Sequence, residues 1–196
     1  KVERYGIVPI WRLGDSVALD TLGEVEIIDT NAIQIASDTS ASLSVSAEAG
    51  DIVLATVSLR SSSTVPTGWT EIYRSEVGGS NQYLVLATKE VTSNGLVTYI
   101  ATQSLPGRIM INLITVRNAK IKHSPEFTVV GDFTGAVSVP NKQVGEKLIW
   151  CMSANTWLTT GYNSWQTSPD DLQLVDFVSE DPPPRQANFI DLGEGE

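Results

Sequence analysis

Short strand-like runs separated by turn residues fill residues 50–101, and this rhythm constrains the fold more than any other feature of the chain. Turn signals rich in Pro, Gly and Asn interrupt the stretch at residues 66–70, 78–81 and 93–95. Such residues favour tight turns, because Pro fixes φ whereas Gly and Asn tolerate a positive φ. The stretch therefore predicts consecutive antiparallel β-strands.

A period of two residues extends on either side of this stretch. Val25 and Ile27 alternate with glutamates, and Leu43 and Val45 alternate with serines. Alternation of this kind is typical of strands with one buried face. Residues 52–59 form a nearly continuous apolar run instead, which predicts a strand buried on both faces at the centre of a sheet. With the further runs toward the C-terminus, we predict about ten to twelve strands in an all-β, jelly-roll-like antiparallel β-sandwich with an extended N-terminal arm.

Length and composition fit one domain that needs no disulfide to be stable. The chain has 196 residues, of which 41% are apolar, and a domain of this size buries about 70% of its unfolded surface. Cys151 is the single cysteine and lies in an apolar run, so we expect a buried, inert thiol. No apolar run approaches the roughly 18 residues of a membrane-spanning helix, and no membrane insertion is expected.

The charge balance argues against nucleic acid as a partner. Lys and Arg number 13 against 23 Asp and Glu, which gives a formal net charge of −10. A chain of this charge lacks the basic surface that attracts phosphates. The first residue is Lys1 rather than Met, so we expect a processed chain or a segment of a longer product.

The N-terminal residues differ from the rest because they show no clear period. We interpret residues 1–22 as the N-terminal arm and residues 23–196 as the β-sandwich domain. One alternative is an irregular segment that lies on its own domain. The other is an extension that docks on a neighbouring subunit, with apolar anchors at Tyr5, Ile10 and Trp11.

Sequence motifs of catalysis and metal binding are missing. The one histidine, His123, stands among lysines and before a proline, as in an exposed turn. No His/Cys cluster, nucleophile elbow or Gly-rich phosphate loop accompanies it. Asp170 and Asp171 are interpreted as a solvated turn, with calcium ligation as the alternative. We therefore predict no enzyme, no catalytic residue, no cofactor and no metal.

Aromatic residues concentrate in one C-terminal stretch. Trp150 falls in an apolar run and is predicted to lie in the core, whereas Trp157, Tyr162 and Trp165 alternate with small hydroxyl and amide residues. Flat aromatic faces next to hydroxyls and amides can stack on sugar rings and bind their hydroxyls. These three residues are the candidate ligand-binding site, with packing or a subunit contact as the alternative.

One succession of residues resembles a known kind of domain. It comprises Gly50-Asp51, an apolar strand ending at Arg60, a Ser/Thr loop, Pro66-Thr67-Gly68-Trp69-Thr70, the strand at 83–89, Thr98-Tyr99-Ile100 and the strand at 109–117. Over residues 42–120 the chain resembles a β-sandwich domain of phage tail, fibre and other virion proteins and of bacterial surface proteins. The resemblance implies an extracellular or virion module and transfers no functional residue. Independently, the turn geometry predicts that Trp69 caps the core.

These observations lead to one functional hypothesis and one alternative. We expect a non-enzymatic protein of a tailed-phage virion, a tail, fibre or capsid-decorating component that acts in assembly and in host-surface recognition. Its expected partners are copies of itself, for example in a trimer, other virion proteins and a host-surface saccharide. The alternative is a carbohydrate-binding module of a larger secreted protein.

Overall fold

The computed structural model describes residues 5–15, 25–61, 63–77, 82–121, 126–131, 147–154, 172–178 and 185–191, and within them every regular element is a β-strand. In chain order the strands are β1 (Tyr5–Asp15), β2 (Glu26–Ala47), β3 (Ile52–Leu59), β4 (Thr70–Val77), β5 (Gln82–Glu90), β6 (Gly95–Arg117), β7 (Ala119–Ile121), β8 (Glu126–Gly131), β9 (Lys147–Ala154), β10 (Leu172–Val178) and β11 (Arg185–Asp191). Every pairing between them is antiparallel. The predicted all-β, antiparallel class is confirmed.

The strands pair in two sets. One sheet has the order β2-β6-β3-β5-β4, and the other has the order β10-β11-β9-β1-β7, with β8 also paired to β1. Strand β3 pairs with β5 on one side and with β6 on the other. Its residues from Val53 to Leu59 are all buried. The strand predicted to lie at the centre of a sheet, buried on both faces, is therefore found there.

Two strands are much longer than their sequence predicts. The apolar runs at 97–102 and 108–116 look like separate strands because Pro106 and Gly107 between them resemble a turn signal. Pairing with β2 nevertheless continues past this point, since Asp38 pairs with Gly107 and Ser40 pairs with Thr102. Residues 103–106 thus form a bulge opposite a single residue of β2 and bend the strand without ending it.

This bend folds the paired strands β2 and β6, which we call the folded ribbon, over one face of their own sheet. The inner half pairs residues 26–35 with 109–117, and the outer half pairs residues 40–47 with 95–102. Side chains of the inner half hold the edge of the outer half: Asn31 Nδ2 donates to the Ser44 carbonyl at 2.9 Å, and Asp29 Oδ2 accepts from the Ser46 N–H at 2.7 Å. One hydrogen-bonded sheet thereby makes two layers, whereas a jelly-roll connection between two separate sheets stays a prediction.

The larger core lies between these two layers. Its members from the outer half are small or β-branched at most positions, and those from the inner layer are mainly aliphatic: Ala41, Leu43, Val45, Ala47, Val97, Tyr99 and Ala101 face Val53, Ala55, Val57, Leu59, Val85, Ala87, Ile109, Ile111 and Leu113. Strict alternation in the outer half directs these residues inward and the intervening ones outward. A smaller cluster, centred on Leu54, Leu86 and Ile114, lies on the opposite face of the sheet.

The predicted N-terminal arm is extended in the part that the structure describes, but that part is not an irregular segment. Tyr5–Asp15 is strand β1, which pairs with β9 and with both β7 and β8. The pairing with β9 stops after Ile7 and resumes at Ile10, on either side of Pro9, which has no N–H to donate. Gly6 and Pro9 also interrupt the alternation of apolar and polar residues, so sequence periodicity does not predict this strand. The domain boundaries at residues 1–22 and 23–196 stay a prediction.

Candidate functional site

The outward side of the outer half presents a surface with no charged residue, which we call the outer face. It carries Ser40, Ser42, Ser44 and Ser46 from β2, opposite Thr102, Ile100, Thr98 and Leu96 from β6. Leu96 is 74% exposed and Ile100 is 50% exposed. Between them the hydroxyls of Ser44 and Thr98 lie 2.8 Å apart and form a hydrogen bond across the strands. Two large apolar side chains are thus exposed to water on an uncharged pair of strands.

A single buried amide, that of Gln103, fixes the bend of the folded ribbon. Its Nε2 donates to the Asp38 carbonyl at 2.7 Å and to the Gly107 carbonyl at 2.9 Å, while its Oε1 accepts from the Arg60 N–H at 2.8 Å. A Cβ atom built on Gly107 would lie 2.7 Å from the Cβ of Arg60, so only glycine fits where these strands cross. The three segments that meet at the corner are therefore held in one geometry.

A cleft opens beside this corner, between the segment that follows β3 and the edge of β6. It is shallow and open to solvent, its volume is about 370 Å³, and its lining residues are uncharged: Ser63, Thr64, Thr102, Gln103 and Ser104. Leu105 stands nearby at 60% exposure. Sequence analysis missed this site because Ser and Thr in a loop carry no motif, and only the fold of the ribbon brings residues 63–64 to residues 102–104.

Trp69 packs at the other end of this edge of β6, beside Thr98 and Tyr99. It is 7% exposed, its ring packs edge-to-face on Tyr99 with centroids 4.9 Å apart, and its Nε1 donates to the Thr98 carbonyl at 3.2 Å. Lys89 Nζ lies 6.0 Å from the ring centroid, within the range of a cation–π contact. Gly68 has a φ of +84°, as its turn requires. The prediction that Trp69 caps the core is confirmed.

The most strongly bonded charges stabilise the fold at the far end of the sheet. Asp51 is 2% exposed, and its two carboxylate oxygens accept from Arg117 Nε at 2.8 Å and Arg117 Nη2 at 3.1 Å. The Glu48 N–H also donates to this carboxylate at 2.8 Å. The hydrogen bond from Arg117 holds the pKa of Asp51 below its usual value, against the effect of burial. These contacts join the turn before β3 to the end of β6, so we interpret the cluster as structural.

The residues that the sequence singled out for ligand binding, Trp157, Tyr162 and Trp165, lie outside the described residues, and so do His123 and the pair Asp170 and Asp171. Their roles stay predictions. Trp150 and Cys151 are in strand β9.

Across the described part of the chain, no group of three or more His, Cys, Asp and Glu side chains is placed to hold a metal ion. The same residues include no helix that is long and apolar enough to span a bilayer.

Comparisons of the chain with protein-family models, with curated proteins and with solved structures find no match.

Proposed function

We propose that the protein is a non-enzymatic structural and adhesion component of a tailed-phage virion, in the tail, fibre or capsid-decorating class, and that it works as a homo-oligomer. The outer face is the observation that carries this proposal. Leu96 and Ile100 supply exposed apolar contact area there, and an exposed apolar surface with a polar surround can serve as a contact to another protein.

A second copy of the chain is the partner that suits this face best. Two chains of net charge −10 repel each other, so a stable contact between them needs a surface that brings no further like charges together. The outer face meets this condition, because its eight side chains are Ser, Thr, Leu and Ile. The resemblance of residues 42–120 to virion domains gives the setting in which such assembly is used.

The test is the mass of the protein in solution. We expect the wild-type chain to sediment as an oligomer at about 50 µM, in the affinity range of modest interfaces. The double variant Leu96→Ser/Ile100→Ser should sediment as a monomer, because it removes the apolar contacts while leaving the inward core residues in place.

The variant Leu105→Ser is the matched control. It also replaces an exposed leucine, but this leucine lies in the bulge and outside the outer face, so the oligomer should persist. A wild-type chain that is monomeric at this concentration, or a double variant that assembles like the wild type, would overturn the proposal.

A further inference from the structure

The open, uncharged cleft beside Gln103 presents hydroxyl groups to a ligand. We infer that it binds a neutral saccharide of one or two units, an assignment that rests on the proposed adhesion function. A volume of about 370 Å³ falls at the lower end of the range of ligand sites, roughly 300–1,000 Å³.

Backbone groups of β6 that point away from β2 add hydrogen-bonding capacity to the hydroxyls of the cleft. Thr98 is opposite Ser44 in the ribbon, and its carbonyl points away from β2, toward Trp69. In an antiparallel pair, residues that point their peptide groups outward recur at every second position. Thr102 is four residues further along, so its N–H and carbonyl also point away from β2.

The segment between β3 and β4 forms hydrogen bonds with this edge of β6 at two places. At one end Trp69 Nε1 donates to the Thr98 carbonyl. At the other end Ser61 Oγ accepts from the Ser104 N–H at 3.0 Å and from the Ser104 hydroxyl at 3.1 Å. The cleft lies between these two attachments. A ligand there meets a strand edge at Thr102 together with the hydroxyls of Ser63 and Thr64.

The chemistry of the lining selects an uncharged, hydroxyl-rich ligand. Hydroxyls and peptide groups both donate and accept, which matches the alternating needs of sugar hydroxyls. Neither a cation nor a carboxylate is among the lining residues, so an anion or a cation would lose hydration without a counter-charge. Leu105, which follows the lining residue Ser104 in the chain and is 60% exposed, offers apolar contact to the C–H groups of a sugar ring.

The floor of the cleft is held in place before any ligand arrives. Gln103 is 7% exposed and uses both ends of its amide on the backbone. Sites that need little ordering lose less binding free energy to conformational entropy. This rigidity distinguishes the cleft from a loop that must close on its ligand.

The experiment is an NMR titration of the full chain with neutral disaccharides, namely maltose, lactose, sucrose and diacetylchitobiose, each up to about 10 mM, which covers millimolar affinities. We expect at least one to shift the backbone signals of residues 63–64 and 102–104. The double variant Ser63→Ala/Thr64→Val, which removes two hydroxyls of the cleft and leaves the outer face unchanged, should weaken that binding by at least about tenfold. Sodium sulfate and sialyllactose serve as anionic probes.

The variant Ser42→Ala is the control, because it removes an exposed hydroxyl of the same ribbon outside the cleft and should bind like the wild type. No shift with any neutral sugar, a shift with the anionic probes alone, shifts confined to Trp157, Tyr162 and Trp165, or unchanged binding by the double variant would each overturn the assignment. Sedimentation of the same samples separates the two proposals. Assembly without sugar binding would contradict only the saccharide assignment. Sugar binding by a monomer would contradict only the proposed oligomer and would favour a carbohydrate-binding module.

Discussion

At the scale of single residues, a carboxylate buried against an arginine decides how the chain responds to acid. Asp51 closes the turn between β2 and β3, where its N–H donates to the Glu48 carbonyl at 3.1 Å and its carbonyl accepts from the Val91 N–H at 2.9 Å. Its side chain pairs with Arg117 at the end of β6. The buried carboxylate of Asp51 thus joins the turn to the end of β6, and the more exposed carboxylate of Glu48 also lies 2.8 Å from Arg117 Nη2.

We predict that Asp51→Asn lowers the free energy of unfolding by about 2 kcal/mol at pH 7, because hydrogen bonds to charged groups contribute about 1.5–3 kcal/mol each and one of the two partners becomes neutral. The pKa of Asp51 in the folded state is lowered, from about 4 in the unfolded chain. Its stabilising effect is therefore complete above pH 4 and is lost as the pH falls through the lower folded-state pKa. Urea unfolding at several pH values should show the wild type and the variant converging in acid.

The ion pair between Glu71 and Arg74 provides the control for this measurement. It is bidentate but partly exposed, with 35% of the Glu71 side chain accessible. Exposed pairs contribute about 0–1 kcal/mol, so Glu71→Gln should change stability by less than about 1 kcal/mol at every pH. A gap between Asp51→Asn and the wild type that stays constant from pH 7 to pH 2 would contradict the role given to the carboxylate.

At the scale of elements, the bend in β2 and β6 shows where sequence periodicity succeeds and where it stops. Alternation identified the outer half correctly, because Leu43 and Val45 are buried while the serines beside them face outward. The bend was not predictable, because it depends on Gln103 reaching Arg60, which is 43 residues away in sequence. The same long-range contact creates the cleft, so the site could not be derived from local patterns either.

We predict that Gln103→Leu lowers the free energy of unfolding by about 3 kcal/mol. Leucine keeps most of the volume, but it leaves the buried Gly107 carbonyl and the part-buried Asp38 carbonyl and Arg60 N–H without their partner. An unsatisfied buried group costs about 1–3 kcal/mol, and a part-buried one costs less. Thermal and urea unfolding measure the loss. The NMR signals of residues 102–107 should shift most, since the corner loses its fixed geometry.

Ser104→Ala tests whether the loss of stability is specific to the amide of Gln103 or follows from any lost hydrogen bond near the corner. It removes an exposed hydroxyl whose partner is Ser61 Oγ, so stability should fall by about 1 kcal/mol or less. Equal losses in the two variants would show that the amide of Gln103 has no special role in the bend.

At the scale of the whole molecule, net charge and fold have opposite effects on the proposed contact between two chains. A net charge of −10 keeps separate chains apart over a distance set by salt. The antiparallel fold provides an uncharged face on which two chains can nevertheless meet. Composition predicted the first property and alternation predicted the fold class, whereas the face emerged only when β2 placed its outward serines opposite Leu96, Thr98 and Ile100.

Salt should therefore strengthen assembly through the outer face. Raising NaCl from about 0.02 M to about 0.5 M shortens the screening length from about 20 Å to about 4 Å. This weakens the repulsion between the acidic chains. Because the outer face contains no ion pairs, salt has no attraction to weaken there. We predict that the dissociation constant from sedimentation equilibrium falls several-fold over this range. The Leu96→Ser/Ile100→Ser variant should stay monomeric at both concentrations. A dissociation constant that rises with salt would mean that ion pairs hold the oligomer together, and the interface would then lie elsewhere on the chain.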